Sequence, residues 1–216
     1  MARQPFPGFI TAIEPQAKAR KHLGTRVNIF INGRFSFALD AGLTQRHDLH
    51  PGLEITADFL SDLLREDGDA RAYASALQFM GYRTRSTAEV RSRLERDAWP
   101  PEVIDRVLAR LAHEHLLNDA TFAATWVEGR SLSKPRGAYA LRQELRRKGV
   151  AKEEIDAALP DADQEVDNAV AAAQPKLRLW AGLEERERRR KTLEFLQRRG
   201  FNYGTAKAAL ARLEED

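Results

Sequence analysis

Leu94, Leu145 and Leu196 stand 51 residues apart, and the interval holds for more than leucine. At the same spacing Arg96, Arg147 and Arg198 coincide, as do Trp99, Val150 and Phe201. Ile104, Ile155 and Ala206 follow, and then Leu108, Leu159 and Leu210. Columns of like residues at one fixed interval are the mark of a repeated structural unit. Each copy reads as a helix, a short basic turn, one bulky apolar residue and a second amphipathic helix. A further helix precedes each pair, over roughly 70–80, 119–130 and 165–180. Three tandem three-helix units, helix-turn-helix-like, result. Units this small bury their apolar faces poorly alone, so neighbours must stack. The expected fold is mainly α: tandem three-helix repeats forming an elongated curved array, suited to lying along a large partner.

The start of the chain obeys a different period. In 26–39, RVNIFINGRFSFAL, the odd positions Val27, Ile29, Ile31, Phe35, Phe37 and Leu39 are apolar, which is strand alternation around Asn32-Gly33. A two-residue loop would pair odd with even positions and split the apolar set between faces. A three-residue loop, Ile31-Asn32-Gly33 with Gly33 left-handed, keeps it on one face and is the expected turn. Phe9, Ile10 and Ile13 suit an earlier strand. From Ala57 the period becomes helical, with Leu60, Leu63 and Leu64, then Ala72, Ala76, Phe79 and Met80. Ser86 and Glu89 form a capping box. Pro100-Pro101 suits a helix start, Asp119 a cap, and Gly149 and Gly200 left-handed helix ends. The expected organisation is an N-terminal β-hairpin-containing region (1–56), a linker helix with the first repeat (57–118), a second repeat (119–162) and a third (163–216).

Hydrophobic residues at 43% and charged residues at 31% supply a core and argue against a disordered chain. No stretch suits a membrane span or a secretory signal. With no cysteine there are no disulfides or thiolate metal sites, which fits a cytoplasmic protein. The phosphate-cradling and dinucleotide glycine patterns are missing, and no serine stands in a nucleophile-elbow setting. His113 and His115 point to different sides of a helix, and His47 and His50 lie in a polar stretch without further ligands. Acidic pairs such as Glu153-Glu154 and Asp161/Asp163 sit at helix starts, where the dipole favours them. The reading is a binding protein, with no enzyme activity, metal or cofactor expected.

Positive charge remains. The net charge is only +3, but the sequence pI of 9.3 and its arginine content suit a polyanionic or acidic partner. Between Glu128 and Gly149, Arg130, Lys134, Arg136, Arg142, Arg146, Arg147 and Lys148 face only Glu128 and Glu144. These seven are the candidate partner-binding residues. A second cluster, 186–199, carries Arg186, Arg188, Arg189, Arg190, Lys191, Arg198 and Arg199, for which a solvated helix with local ion pairs competes as an explanation. Such clusters suit phosphate, with strong salt dependence, or an acidic protein groove. Trp99, Trp126 and Phe201 recur at apolar phase and are expected in the core, while Tyr82, Tyr139 and Tyr203 suit a contact surface.

The segments STAEVRSRLERDAWPPEVIDRVLARLAHEHLLNDATFAATWVEGR, RGAYALRQELRRKGVAKEEIDAAL and TLEFLQRRGFNYGTAKAAL together resemble the RecX family of recombination regulators. ITAIE and RVNIFINGRFSFAL are similar to that family's N-terminal region. The chain departs at Met80-Gly81, where the family usually carries a basic pair. The resemblance implies a tandem-repeat fold and a negative regulator of the RecA recombinase. It implies binding to RecA filaments on single-stranded DNA, in the helical groove, limiting strand exchange, ATP hydrolysis and stimulated repressor cleavage. Direct contact with DNA is a second partner reading, and the chain is expected to act as a monomer away from membranes.

Overall fold

Period-two alternation becomes sheet. The computed structural model describes residues 4–16 and 25–215. In it β1 (Gly8–Pro15), β2 (Arg26–Ile31), β3 (Arg34–Asp40) and β4 (Glu54–Ile55) form an antiparallel sheet in the order β3-β2-β1-β4. The turn between β2 and β3 differs from the expected three-residue loop. Asn32 and Gly33, at φ 51° and 78°, make a two-residue turn with Ile31 opposite Arg34. The parity problem is solved elsewhere. Phe30 faces Phe35 but Ile29 faces Phe37, so Ser36 is an extra residue in a β-bulge. Beyond it Val27, Ile29, Phe37 and Leu39 share the buried face, and Phe35 is left against the Phe30 ring at 6.1 Å. The buried Ser36 hydroxyl accepts from the Phe6 amide and donates to the Phe6 carbonyl, each at 2.9 Å.

Asp40 caps a short helix α1 (Ala41–Arg46), its carboxylate accepting from the Gly42 amide at 2.8 Å. Helix α2 (Ala57–Met80) is continuous and opens on Thr56. Its Leu60 and Leu63 close the core under the sheet with Ile10, Ile29, Ile31, Leu39 and Ile55. The buried Asp67 accepts from Nη1 and Nη2 of Arg26, at 2.9 and 3.0 Å, and from the Asp40 amide at 3.0 Å, which ties α2 to β2 and β3.

The three-helix units follow. The second half of α2 joins α3 (Thr87–Arg96) and α4 (Pro101–His113). Next come α5 (Asp119–Ser133), α6 (Ala138–Arg147) and α7 (Lys152–Ala158), then α8 (Ala162–Leu179), α9 (Glu185–Arg198) and α10 (Tyr203–Glu215). The repeat columns are core columns: Leu94, Leu145, Leu196, Ile104, Ile155 and Ala206 are each at most 1% exposed. Val150 and Phe201 are buried, and Trp99 is half-buried. The turn between the last two helices of each unit passes through a left-handed residue at the same interval, Ala98, Gly149 and Gly200, at φ 60°, 75° and 88°. The capping box forms: the Glu89 amide donates to Ser86 Oγ at 3.2 Å, and the Ser86 amide to Glu89 Oε2 at 3.3 Å. Asp119 is not the cap of α5. Asn118 is, its side chain accepting from the Thr121 amide at 2.9 Å, which frees the neighbouring carboxylate for a longer reach. The chain divides into two compact units, one reaching Arg83 and including Val90–Glu114, the other Thr84–Glu89 with His115 onward.

Candidate partner-binding surface

The seven basic residues between Arg130 and Lys148 separate into three groups. Arg130 and Arg136 converge on one carboxylate, Glu144 of α6, at 2.9 and 2.8 Å. The Trp126 indole N–H donates to the same carboxylate at 2.8 Å. The Arg130 guanidinium and the Lys148 ammonium both lie over the Trp126 ring, at 4.7 and 4.6 Å from its centroid. Lys148 also pairs with Glu89 at 2.8 Å. These three cations are held by the protein itself. Arg142 forms a second group, pairing across to Asp156 of α7 at 3.0 Å. The third group is Lys134, Arg146 and Arg147, which are exposed and make no ion pair with any described residue.

Internal comparison explains Arg142. Counting back 51 residues from Arg142 and Asp156 gives Arg91 and Asp105, which pair in the first repeat at 2.8 Å. The bridge joins the second and third helices of a unit and belongs to the architecture. In the later basic cluster, Arg189–Glu185, Arg190–Glu194, Lys191–Glu187 and Arg198–Glu194 are one-turn pairs along α9. Arg199 differs: it lies over the Phe195 ring at 5.1 Å and donates to the Pro135 carbonyl at 3.4 Å.

The frame that carries these charges is built from one contact made twice. Ser86 Oγ donates to the Lys148 carbonyl at 2.6 Å, and 51 residues on the Gly137 amide donates to the Arg199 carbonyl at 3.1 Å. The amide opening the adjacent helix is capped from the next repeat: Thr87 by Asp119 and Ala138 by Glu165, each at 2.8 Å. Close approach is required at both places. A Cβ on Gly149 would lie 2.3 Å from the Ala88 Cβ, and one on Gly200 2.4 Å from the Ala140 Cβ. The helix-start carboxylates thus do more than complement their own helix dipoles.

Trp126 is half-buried as a core residue with a polar tip, and Tyr82, Tyr139 and Tyr203 are exposed. Glu144, the hub, was not singled out from sequence. Its partners lie 8 to 18 residues away and meet only when α5 and α6 pack. On α2 and α4, Tyr73 donates to Glu114, and Arg110 reaches it at 2.8 Å. Those hydrogen bonds hold the Glu114 carboxyl below its ordinary range, and the same bond raises the Tyr73 phenol. Among the described residues no group of three His, Asp or Glu is placed to hold a metal ion, and His47 pairs with Glu66 at 3.0 Å. No helix of the described residues is long and apolar enough to cross a membrane.

Four family models match in chain order. The regulatory protein RecX N-terminal domain matches residues 8–56, and the RecX first, second and third three-helix domains match 72–111, 118–159 and 163–210. The regulatory protein RecX of Bacillus subtilis (strain 168) is 31% identical over 208 residues, covering 95% of this chain and 77% of that protein. Its counterpart in Bacillus velezensis is 30% identical over 208 residues, covering 95% and 78%. A crystal structure of a regulatory protein RecX superposes with a TM-score of 0.73 at 25% identity, covering 95% of this chain and all of that one. RecX from Lactobacillus salivarius, at TM-score 0.65, 21% identity and 70% and 99% coverage, shares the fold.

Proposed function

Because this chain belongs to the RecX family of regulatory proteins, we propose that it is a negative regulator of the RecA recombinase. It binds RecA filaments on single-stranded DNA, in the filament groove, and limits ATP hydrolysis, strand exchange and stimulated repressor cleavage. It works in the cytoplasm, where such filaments form. One observation supports this most: the N-terminal domain and three three-helix domains match the family along the chain, while Lys134, Arg146 and Arg147 stand exposed on the second repeat with no ion pair to a described residue. Exposed cations suit an acidic protein surface or phosphate, and steer association. Inhibition then requires tighter binding to an inactive filament state than to the active one, since equal affinity shifts nothing. The seven basic residues remain the proposed contact region, with Lys134, Arg146 and Arg147 carrying charge not already engaged.

The test is binding of labelled protein to RecA–single-stranded DNA filaments, with bare DNA at matched salt as control, and ATP hydrolysis measured in parallel. Filament-dependent binding with slowed hydrolysis is expected. Equal affinity for bare DNA, with a steep salt slope, favours the second reading, a direct nucleic-acid-binding protein using its helix-turn-helix-like units. No binding to either removes both.

A further inference from the structure

The three most exposed large apolar side chains of the described protein are Leu132 at 82%, Tyr82 at 80% and Leu179 at 73%. Singly, exposed leucines are ordinary. These recur. Each stands where the first helix of a three-helix unit ends and runs toward the second: Tyr82 after α2, Leu132 in the last turn of α5, and Leu179 closing α8. Each has basic neighbours: Arg83 and Arg85 beside Tyr82, Lys134 and Arg136 beside Leu132, Arg178 beside Leu179. Lys134 and Arg178 are exposed and make no ion pair with a described residue. The end of each first helix therefore carries an exposed apolar side chain with basic residues close in sequence.

We propose that Tyr82, Leu132 and Leu179, each at the end of the first helix of a unit, are anchors through which the chain holds a protein partner presenting apolar patches bordered by carboxylates. Positive flanks fix the sign of the partner surface. Two anchors are leucines, which have no π-face for a base to stack on, so a protein fits better than single-stranded nucleic acid. The inference rests on the RecA-filament reading and deepens it.

The experiment substitutes Tyr82→Ser, Leu132→Ser and Leu179→Ser singly and together in the full chain. Affinity for RecA–single-stranded DNA filaments is measured, with bare DNA in parallel. Leu116→Ser, exposed but in the connection between α4 and α5, is the control. Each single change is expected to weaken filament binding by roughly tenfold, the cost of one apolar side chain left unburied, and the triple change by far more. Thermal unfolding and the Leu116 variant stay as in the wild type. Unchanged filament binding in the triple variant overturns the anchors while leaving the filament reading intact. An equal loss from Leu116→Ser, or a parallel loss on bare DNA, also overturns them. A wild-type chain that does not bind the filament overturns both.

Discussion

Replacing Gly149 by alanine tests whether the repeat junction is as tight as its geometry requires. The residue sits at φ 75°, where an L side chain costs about 1–2 kcal/mol. Stiffening the unfolded chain offsets about 0.4–1 kcal/mol of that. The new methyl would then lie 2.3 Å from the Ala88 Cβ, far inside contact distance, and overpacking of this kind costs about 1–3 kcal/mol. The expected loss is about 2–4 kcal/mol, a fall in the urea midpoint of about 1–2 M. Two further variants separate the parts. Ala98→Gly, at the equivalent left-handed position of the first repeat (φ 60°), removes strain and is expected to be neutral or stabilising by up to about 1 kcal/mol. Ala88→Gly costs no more than about 1 kcal/mol as a helix substitution. Combined with Gly149→Ala it recovers the steric part, leaving the backbone strain and the helix cost of Ala88→Gly. The assay is urea unfolding followed by far-ultraviolet circular dichroism. A loss below about 1 kcal/mol in Gly149→Ala, or a double variant no better than the single, refutes the close-packed junction.

Three other outcomes follow from the charges. Glu144→Ala strands Arg130, Arg136 and the Trp126 indole N–H at a site only 13% exposed, and is expected to cost about 2 kcal/mol, read by urea unfolding. Charge reversal of Arg142 breaks a surface bridge with Asp156 worth at most about 1 kcal/mol, so the protein stays folded. With Arg146 reversed as well, the proposed inhibition of RecA ATP hydrolysis should weaken, and inhibition equal to the wild type excludes this surface. Glu114 has a lowered pKa in the folded state, so its contribution is present above the ordinary carboxylate range and is lost as pH falls through the lowered value. The acid-side drop in urea midpoint is therefore expected to be smaller in Glu114→Gln, and identical pH profiles would contradict the assignment.

The repeat was legible because burial enforces it: Leu94, Leu145 and Leu196 hold the same core place in three units, so the interval survives as residue identity. Ser86 with Glu89, and Gly149 with Gly200, were legible because caps and left-handed turns are local chemistry. The hairpin turn was misread because loop length was weighed without a bulge, and Ser36 absorbs the parity change three residues past the turn. Asp119 was misread because Asn118 beside it caps as well. What separates them is Thr87, 32 residues away in sequence. A census of charge could not distinguish paired from unpaired arginines. Yet one signal lay unused, since Arg91 with Asp105 and Arg142 with Asp156 share the repeat interval and mark a bridge.

That interval also shows what the second repeat does differently. One turn apart, across the C-terminal end of the second helix of each unit, stand Arg93 and Asp97, Glu144 and Lys148, and Phe195 and Arg199. The first pair closes on itself at 3.0 Å, and the third stacks cation on ring at 5.1 Å. The middle pair turns outward, Glu144 to Trp126, Arg130 and Arg136, and Lys148 to Glu89. Arg136 lies in the short connection between α5 and α6, and the Gly137 amide beside it is fixed to the Arg199 carbonyl. The backbone just past Leu132 and Lys134 is thereby fixed at Arg136 and Gly137. A pinned connection loses little conformational freedom when a partner engages it, so its cation and apolar side chain contribute more of their contact energy to affinity. On this argument the Arg136–Glu144 pair acts by holding Lys134 in place. Glu144→Ala should then weaken partner binding even under conditions where the variant remains fully folded.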